Sequence, residues 1–262
     1  MASDFTHRTL PVVGKQVHRL GLSFSFGLDP AGTEAAIERG MNYFFWTTMR
    51  TGKILPVVRD ALRRDRERFV LCAGSPLTYV KGSVRRAADK WLRSFATDYI
   101  DVFQIYWLGK MSFWTEGVRD ELVKLKEQGK VRAVGASIHD RPWAGRLADD
   151  SPLDLFMLRY NAAHPGAERD VFPHLEKRQP AVVAYTATSW RKLLKPARGW
   201  DGPVMSAGDC YRFCLSSPHV DVTLCGPSDR AQLEQNLAAL DKGPLTPDED
   251  AWMRRFGKVV HG

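Results

Sequence analysis

The segment TEGVRDELVKLKEQGKVRAVGAS, residues 115–137, contains one complete helix-to-strand unit. Thr115 is a favourable N-cap residue, and apolar side chains recur at helical spacing up to residue 128. Gly129 follows, as glycine commonly does where a helix ends. The run VRAVGAS at 131–137 has the composition of a strand. The segment therefore predicts a helix over 115–128 that leads into a strand over 131–137.

The same alternation extends along the chain. Strand-like runs lie at 18–26, 41–45, 68–73, 98–107, 131–137, 152–158, 180–185 and 219–225. Helical patterns follow them at 32–40, 53–64, 82–95, 115–128, 141–148, 166–177, 206–216 and 228–240. Strict alternation implies parallel strands joined by crossover helices. Eight such units in about 250 residues predict a (β/α)8 TIM barrel.

The C-terminal region predicts one further helix outside the eight units. In TPDE, residues 246–249, Thr, Pro and Glu suit the N-cap, N1 and N3 positions. We expect this helix to pack outside the barrel. Neither repeats nor linkers interrupt the pattern, so residues 1–262 are predicted to form a single domain.

Composition narrows the class of protein. The 262 residues are 44% hydrophobic, but no apolar run reaches the roughly 18 residues of a membrane span, so we expect no membrane association. The N-terminus lacks the pattern of a secretory signal. Four scattered cysteines suggest a reducing, cytoplasmic setting and no disulfide scaffold. Cys210 and Cys214 have no matching second pair, so no metal site is expected.

The chain is basic, with a formal net charge of +8 and a pI of about 9.4. Its charges are mixed, however: RDALRRDRERF at 59–69 interleaves arginine with acidic residues at helical spacing. That pattern is typical of a solvated helix face. We therefore expect no nucleic-acid partner, and a small-molecule substrate handled by a monomer or weak homo-oligomer.

Segments spread over nearly the whole chain resemble the aldo-keto reductase family. They are RTLPVVGKQVHRLGLSF (8–24), AIERGMNYFF (36–45), SVRRAADKWLRSFATDYIDVFQIYW (83–107), LVKLKEQGKVRAVGAS (122–137), RYNAAHPGAERDVFP (159–173), VVAYTA (182–187) and GPSDRAQLEQNLAAL (226–240). The resemblance implies hydride transfer between NADPH and a carbonyl. It also implies an Asp, Tyr, Lys and His tetrad at the carboxyl ends of the strands.

The tetrad positions carry other residues in this chain. Phe45 stands where the resemblance places the Asp, and TTMRTG at 47–52 contains no Tyr. Gly74 stands at the Lys position and Tyr106 at the His position. Removing both members of a buried ion pair is better tolerated than removing one. The pattern therefore predicts a site that is repurposed or retired.

The resemblance also assigns cofactor positions. Ser137 matches a residue that holds the nicotinamide carboxamide, but Ile138 and Met157 replace its polar companions. Tyr185 matches the aromatic residue that stacks on the nicotinamide. Residues that fit the phosphate and adenine segment are Gly226, Ser228, Arg230, Gln235 and Asn236, with Arg230 a candidate for a 2′-phosphate. Two alternatives stay open: no cofactor, or retained NADP(H).

Five residues are the candidates for catalysis. Tyr106 is a potential proton donor, or an orienting or packing residue. His139 and Asp140 are a potential acid–base pair, unless Asp140 caps the next helix. Arg159 and Arg50 could each bind a substrate carboxylate, since a guanidinium matches that group.

Three functions are compatible with these residues. The preferred hypothesis is a non-redox acid–base enzyme that carries out cyclisation, hydrolysis or elimination on a small aromatic or carboxylated metabolite. The second is an NADPH-dependent carbonyl reductase with Tyr106 or Tyr79 as an unusual proton donor. The third is a non-catalytic binding protein or sensor. An open pocket with converging polar groups favours the first, a groove from Arg230 to Tyr185 the second, and a filled mouth the third.

Overall fold

Parallel strands close into a barrel, and an antiparallel hairpin lies at one end of it. The structure is a computed structural model that describes residues 4–47 and 52–261. The hairpin consists of β1 (His7–Leu10) and β2 (Lys15–His18). The barrel strands are β3 (Leu20–Ser23), β4 (Tyr43–Phe45), β5 (Val70–Ser75), β6 (Ile100–Leu108), β7 (Val131–Ile138), β8 (Leu155–Arg159), β9 (Ala181–Tyr185) and β10 (Val222–Cys225). Because β10 pairs with both β9 and β3, the ring is closed and the (β/α)8 prediction is confirmed.

Helices alternate with these strands and surround the barrel. The α-helices are α1 (Pro30–Glu38), α2 (Leu55–Arg64), α3 (Ser83–Phe95), α4 (Glu116–Glu127), α5 (Arg141–Asp149), α6 (Ala167–Asp170), α7 (Ala207–Ser216), α8 (Arg230–Leu240) and α9 (Pro247–His261). Short 3-10 turns cover Phe24–Phe26, Phe172–His174 and Lys192–Leu194.

The capping residues seen in the sequence start their helices as predicted. Thr115 Oγ1 accepts the Val118 N–H at 3.3 Å and begins α4. Thr246 and Glu249 exchange hydrogen bonds at the start of α9, where each side chain accepts the other residue's N–H. These contacts satisfy backbone donors that the first helical turn leaves free.

Two predicted elements differ from the structure. The first barrel strand ends at Ser23 rather than residue 26, because the chain turns through Phe24–Phe26 into Gly27 at a φ of 116°. The helix predicted over 166–177 is broken into α6 and a 3-10 turn that contains Pro173. Proline lacks an N–H and clashes with the preceding turn, which explains the break.

The core has two layers. One layer fills the space between the barrel and the helices; α3, for example, buries Val84, Ala88, Trp91 and Phe95 at helical spacing. The other layer fills the barrel interior, and it includes Leu10 and Val17 of the hairpin. The hairpin therefore closes the amino-terminal end of the barrel, and the opposite end, the mouth, stays accessible.

A buried ion network joins the hairpin to the amino-terminal end of the barrel. The fully buried Asp101 of β6 lies 2.8 Å from Lys15 Nζ and 2.6 Å from Arg66. Its carboxylate also accepts the Leu71 N–H at 2.9 Å. This end of the barrel is thus fixed by satisfied charges.

The last helix makes a close contact with the loop after β8. A Cβ added at Gly257 of α9 would lie 2.2 Å from the Ala162 carbonyl oxygen, so the helix packs with its backbone. The His261 ring lies 4.9 Å from the His164 ring. The helix end is therefore held beside the mouth.

The described residues contain neither a membrane-spanning helix nor a cluster of metal ligands. No helix there combines the length and apolar character that a bilayer span needs. Nor do three or more His, Cys, Asp or Glu side chains of that part of the chain come together in a way that could hold a metal ion. All four cysteines are buried and free.

Candidate active site at the barrel mouth

A cavity of about 720 Å³ opens at the mouth and extends to the start of α8. Phe45, Met157 and Tyr185 line it inside the barrel, while Gln235 and Asn236 line its far end. Other lining residues are Ser23, Phe26, Thr186, Ala187, Thr188, Trp190, Arg191, Leu194, Ala207, Tyr211, Leu224, Cys225, Gly226, Ser228 and Gln232. Its size is that of a cofactor or small-molecule site.

Most of the residues assigned to a cofactor lie along this cavity. Tyr185, Gly226, Ser228, Gln235 and Asn236 line it. Arg230, the first residue of α8, is exposed and is not part of the lining. Ser137 is likewise absent from the lining, so the structure brings together five of the seven residues.

The far end of the cavity is organised by the start of α8. Asp229 is the N-cap, and its carboxylate accepts the Gln232 N–H at 2.8 Å. Ser228 Oγ donates to the same carboxylate at 3.0 Å. The Gln232 N–H and Ser228 lower the pKa of Asp229, so the cap is ionised at neutral pH. A negative charge therefore stands beside the cavity where a helix start would otherwise favour an anion.

The loop after β9 forms one wall through an unusual backbone. Thr186, Ser189, Trp190 and Arg191 all have φ values between 49° and 69°, a region that residues other than glycine seldom adopt. The loop is nevertheless packed, with Ser189 and Leu193 fully buried. This turn presents Arg191 to the cavity.

The Ser137 hydroxyl is engaged in a hydrogen bond with the neighbouring strand β6. Its Oγ accepts the Trp107 N–H at 2.8 Å, and its side chain is buried. Trp107 has a φ of 53°, and the pairing of β6 with β7 shifts in register between Ile105 and Leu108. The irregularity in β6 directs the Trp107 N–H at Ser137, which explains why that side chain faces the strand rather than the cavity.

The structure places Tyr106 in the packing position that the sequence left open as the alternative to a proton donor. Its side chain is only 6% exposed, and its hydroxyl donates to the Trp46 carbonyl oxygen at 2.8 Å. Burial raises its pKa well above the ordinary value. The ring packs edge-on against Phe45 at 5.6 Å. Tyr106 is therefore a packing residue. Gly74, at another replaced tetrad position, has no room for a side chain, because a Cβ there would lie only 2.0 Å from the Gln104 carbonyl oxygen.

His139 and Tyr185 form a polar contact that the sequence did not predict. The Tyr185 hydroxyl lies 3.2 Å from His139 Nδ1 and 3.4 Å from Nε2. Burial lowers the pKa of His139, and the positive charges of Lys110 and Arg159 lower it further. Burial raises the pKa of Tyr185 to about 12, although Arg159 acts in the opposite direction. At neutral pH the pair thus consists of a neutral imidazole and a neutral phenol.

Asp140 does not join His139 as an acid–base pair. Its carboxylate accepts the Trp143 N–H at 2.9 Å and caps α5. The side chain is exposed, and the side-chain partner of the His139 imidazole is the Tyr185 hydroxyl rather than this carboxylate. The capping alternative left open by the sequence is therefore the one that the structure contains.

The two arginine candidates differ. Arg159 ends β8 level with Tyr185 of β9, and its guanidinium lies 5.6 Å from the Trp190 ring centroid. Within residues 4–47 and 52–261, it forms no ion pair with any carboxylate. Arg50 lies outside the described residues.

Some lining residues were missed by the sequence reasoning. Phe26 crosses close to Gly226: a Cβ there would lie 2.1 Å from the Phe26 ring. Nothing in the sequence marked Phe26 as a cavity residue, since apolar residues at the end of a strand usually fill a core. Ala207 and Tyr211 of α7 line the cavity without any motif in the sequence that marks them.

Comparison with known proteins gives the family. The model of the aldo/keto reductase family matches residues 34–199. The methylglyoxal reductase YeaE of Escherichia coli is 28% identical over 184 residues, which cover 68% of this chain and 64% of that protein. The uncharacterized oxidoreductase YqkF of Bacillus subtilis is 22% identical over 256 residues, covering 82% of this chain and 83% of the relative.

Solved structures share the fold. The aldo-keto reductase AKR11C1 of Bacillus halodurans, in its holo form, superposes with a TM-score of 0.79 at 20% identity, over 96% of each chain. An aldo/keto reductase of Klebsiella pneumoniae in complex with NADP and acetate gives 0.77 at 22% identity, over 97% of this chain and 96% of that one. The family match spans well over half of the residues, and the chain belongs to the aldo/keto reductase family.

Proposed function

We propose that the protein is a nicotinamide-dinucleotide-dependent oxidoreductase that interconverts an alcohol and a carbonyl compound. The observation that carries this proposal is the single cavity that runs from Tyr185 inside the barrel to Asn236 on α8. The reductase hypothesis called for a groove from Arg230 to Tyr185, and the cavity runs from Tyr185 to the start of α8 but without Arg230 in its lining. The non-redox hypothesis has less support, because Tyr106 is buried and Asp140 caps a helix.

The residues along the cavity suit a dinucleotide. Tyr185 offers an aromatic face inside the barrel, Gln235 and Asn236 offer polar side chains on α8, and Arg191 adds a positive charge to the lining. These match a planar ring, an adenosine and a pyrophosphate, respectively. A bound nicotinamide dinucleotide would supply the hydride-transfer chemistry. The relatives support this assignment, since they include reductases and a structure with NADP.

His139 does not line the cavity itself, but it contacts the lining residue Tyr185 and is the group at the mouth that can accept or donate a proton. In alcohol oxidation, the neutral imidazole would accept the hydroxyl proton, and a bound oxidised nicotinamide dinucleotide would supply the acceptor for the hydride. The lowered pKa of His139 keeps this basic form populated at neutral pH. The Tyr185 hydroxyl holds the ring by a hydrogen bond at 3.2 Å. The site is therefore better matched to the dehydrogenase direction, and carbonyl reduction requires protonated His139.

A nucleotide titration tests the proposal. NADPH, NADP+, NADH and NAD+ are titrated into the purified protein while tryptophan quenching is followed. Dissociation constants in the micromolar range, about 1–100 μM, are expected for at least one of them. Gln235→Ala, on the exposed face that lines the cavity, weakens binding, whereas Lys242→Ala, on the surface beyond α8, does not.

The outcome separates the three functions. Nucleotide binding followed by turnover of an alcohol or aldehyde panel supports the oxidoreductase. Binding without any turnover supports a dinucleotide sensor instead. A dissociation constant of about 1 mM corresponds to a binding free energy of only about −4 kcal/mol. If no nucleotide binds up to that concentration, the redox hypothesis is excluded and the non-redox enzyme becomes the better hypothesis.

A further inference from the structure

The rim of the mouth has two unlike parts. The polar rim consists of His139, Arg159 and Tyr185. Ile138 pairs with Leu158, and Arg159 pairs with Tyr185, so these three residues lie level at the ends of β7, β8 and β9. The apolar rim consists of exposed side chains at the ends of β5 and β6 and in the loops after them: Leu77, Tyr79, Val80, Trp107, Met111 and Phe113.

The polar rim carries an available positive charge. Among the described residues, Arg159 lies against the ring of Trp190 and pairs with no carboxylate. Lys110 and Arg159 both act on His139 electrostatically. A guanidinium with no carboxylate partner in the described part of the chain, at the end of the strand next to a neutral imidazole, is suited to binding a carboxylate.

The positive charge of Arg159 also affects a second histidine, His164. Burial lowers the pKa of His164 to about 4, and Arg159 is the largest electrostatic contributor, followed by His261. His164 Nδ1 lies 3.1 Å from Asn161 Oδ1, at the end of the same strand that carries Arg159. The charge of Arg159 thus lowers the pKa of both His139 and His164.

The apolar rim is a fixed platform. The Phe113 N–H donates to Thr78 Oγ1 at 2.6 Å, and Thr78 Oγ1 donates to the Phe113 carbonyl at 3.1 Å. Ser112 Oγ also donates to the Pro76 carbonyl at 2.7 Å, so the two loops are tied together. Phe113 is nevertheless 56% exposed. Exposed aromatic side chains on an ordered loop mark a binding surface.

The two rims are close enough to share one molecule. The Trp107 N–H donates to Ser137, so the apolar rim meets β7, the strand that precedes His139. Neighbouring strands are about 4.8 Å apart, which places β8 about 10 Å from β6. A molecule with one aromatic ring and a carboxylate is about that long.

We propose that the substrate is an aromatic 2-hydroxy acid, interconverted with its 2-oxo acid. This inference rests on the oxidoreductase function proposed above. Arg159 binds the carboxylate, His139 on the next strand accepts the proton of the adjacent hydroxyl, and the apolar rim holds the ring. The carboxylate and the reacting hydroxyl must be neighbours in the molecule, because Arg159 and His139 are neighbours on adjacent strands.

Calorimetric binding of matched small molecules tests the proposal, with phenylglyoxylate as the probe. Its methyl ester lacks the charge, and glyoxylate lacks the ring. A charge-assisted contact predicts that phenylglyoxylate binds about 10- to 100-fold more tightly than the ester. Equal affinities for the acid and the ester would overturn the proposal.

Variants assign the effect to the two rims. Arg159→Gln removes the preference for acid over ester, whereas Arg146→Gln, on the exposed face of α5, preserves it. Phe113→Ser weakens phenylglyoxylate about tenfold but leaves glyoxylate unchanged. An equal loss for both ligands in Phe113→Ser would contradict a role for the ring.

Nucleotide affinity is measured in the same variants and separates the two proposals. Intact nucleotide binding without acid preference overturns the substrate assignment and leaves the oxidoreductase function in place. Acid preference without nucleotide binding overturns the oxidoreductase function, and with it the 2-hydroxy acid chemistry.

Discussion

The charged side chains at the two ends of the barrel differ in their partners. At the amino-terminal end, Asp101 lies against Lys15, Arg66 and a backbone N–H. At the mouth, Arg159 has only the ring of Trp190 within the described residues, and the imidazole of His139 is kept neutral. Charges are matched where the barrel is closed and left available where it opens. The difference separates the groups that stabilise the fold from the groups that can bind a ligand.

The largest effect is expected at the closed end. Asp101→Ala removes the nearest carboxylate of the buried Lys15, which keeps Glu67 at 3.6 Å, and the carboxylate partner of the half-buried Arg66; this costs about 3–5 kcal/mol of unfolding free energy. Urea denaturation measures this value. Asp60→Ala, which removes an exposed partner of Arg63, is the control and leaves the unfolding midpoint unchanged. An equally small effect for Asp101→Ala would break the comparison, as would a large loss of stability in Arg159→Gln.

The next effect concerns turnover at the mouth. His139→Asn is expected to lower the alcohol oxidation rate about 100-fold, since it removes the base and keeps a polar side chain. His219→Asn, on the outer surface against Phe172, is the matched control. Steady-state rates with saturating nucleotide provide the measurement. A rate within twofold of the parent protein would exclude His139 as the base.

The pH profile sharpens this assignment. The pKa of His139 is lowered below the usual 6.5, so its basic form persists into mildly acidic solution. The oxidation rate should therefore stay constant at neutral pH and fall only below pH 6.5. Arg159→Gln removes a neighbouring positive charge, which raises the pKa of His139 and moves the fall to higher pH. A shift to lower pH, or no shift, would contradict the electrostatic contact.

An intermediate effect is expected inside the barrel. Gly74→Ala places a methyl group 2.0 Å from the Gln104 carbonyl oxygen, so the strands must separate. We expect a loss of about 1–3 kcal/mol in unfolding free energy. In Gly117→Ala of α4 the nearest atom to the new Cβ is 4.0 Å away, and this variant should gain about 0.5–1 kcal/mol. Thermal unfolding of the Gly74→Ala and Gly117→Ala variants measures both changes in stability. A gain of stability in both variants would show that the contact between β5 and β6 is loose.

The smallest effect is expected at the outer end of the cavity. The ionised Asp229 repels an additional phosphate, so Asp229→Asn should improve NADPH binding relative to NADH about threefold. Asp241→Asn, after the opposite end of α8, is the control. The ratio of the two dissociation constants is measured at low and high salt. A ratio that is insensitive to salt would exclude charge repulsion as the cause.

The fold was predictable because it depends on local patterns. Strand and helix periodicity, Thr115, Gly129 and the TPDE segment each act within a few residues, and the structure contains the elements that they predict. The one broken helix depends on Pro173, whose effect on an otherwise helical pattern was underestimated. Sequence reasoning also placed Tyr185, Gln235 and Asn236 along one cavity.

The chemistry at the mouth was less predictable, because it depends on distant partners. The Tyr106 hydroxyl is bound by a carbonyl 60 positions away, and His139 meets a tyrosine 46 positions away. Both contacts depend on strand register and on the irregularity in β6, which leave no local pattern. Asp140 illustrates the opposite case, since its capping role depends on Trp143 three residues later and was among the alternatives in the sequence.

The contact between α9 and the mouth has a practical consequence for protein production. The His261 ring packs on His164, and Gly257 fixes the helix against the loop after β8. A polyhistidine tag fused after this helix would therefore begin beside the opening of the cavity, next to two native imidazoles. A tag placed before the hairpin emerges at the opposite end of the barrel, where neither leached nickel nor the tag itself would compete with a ligand.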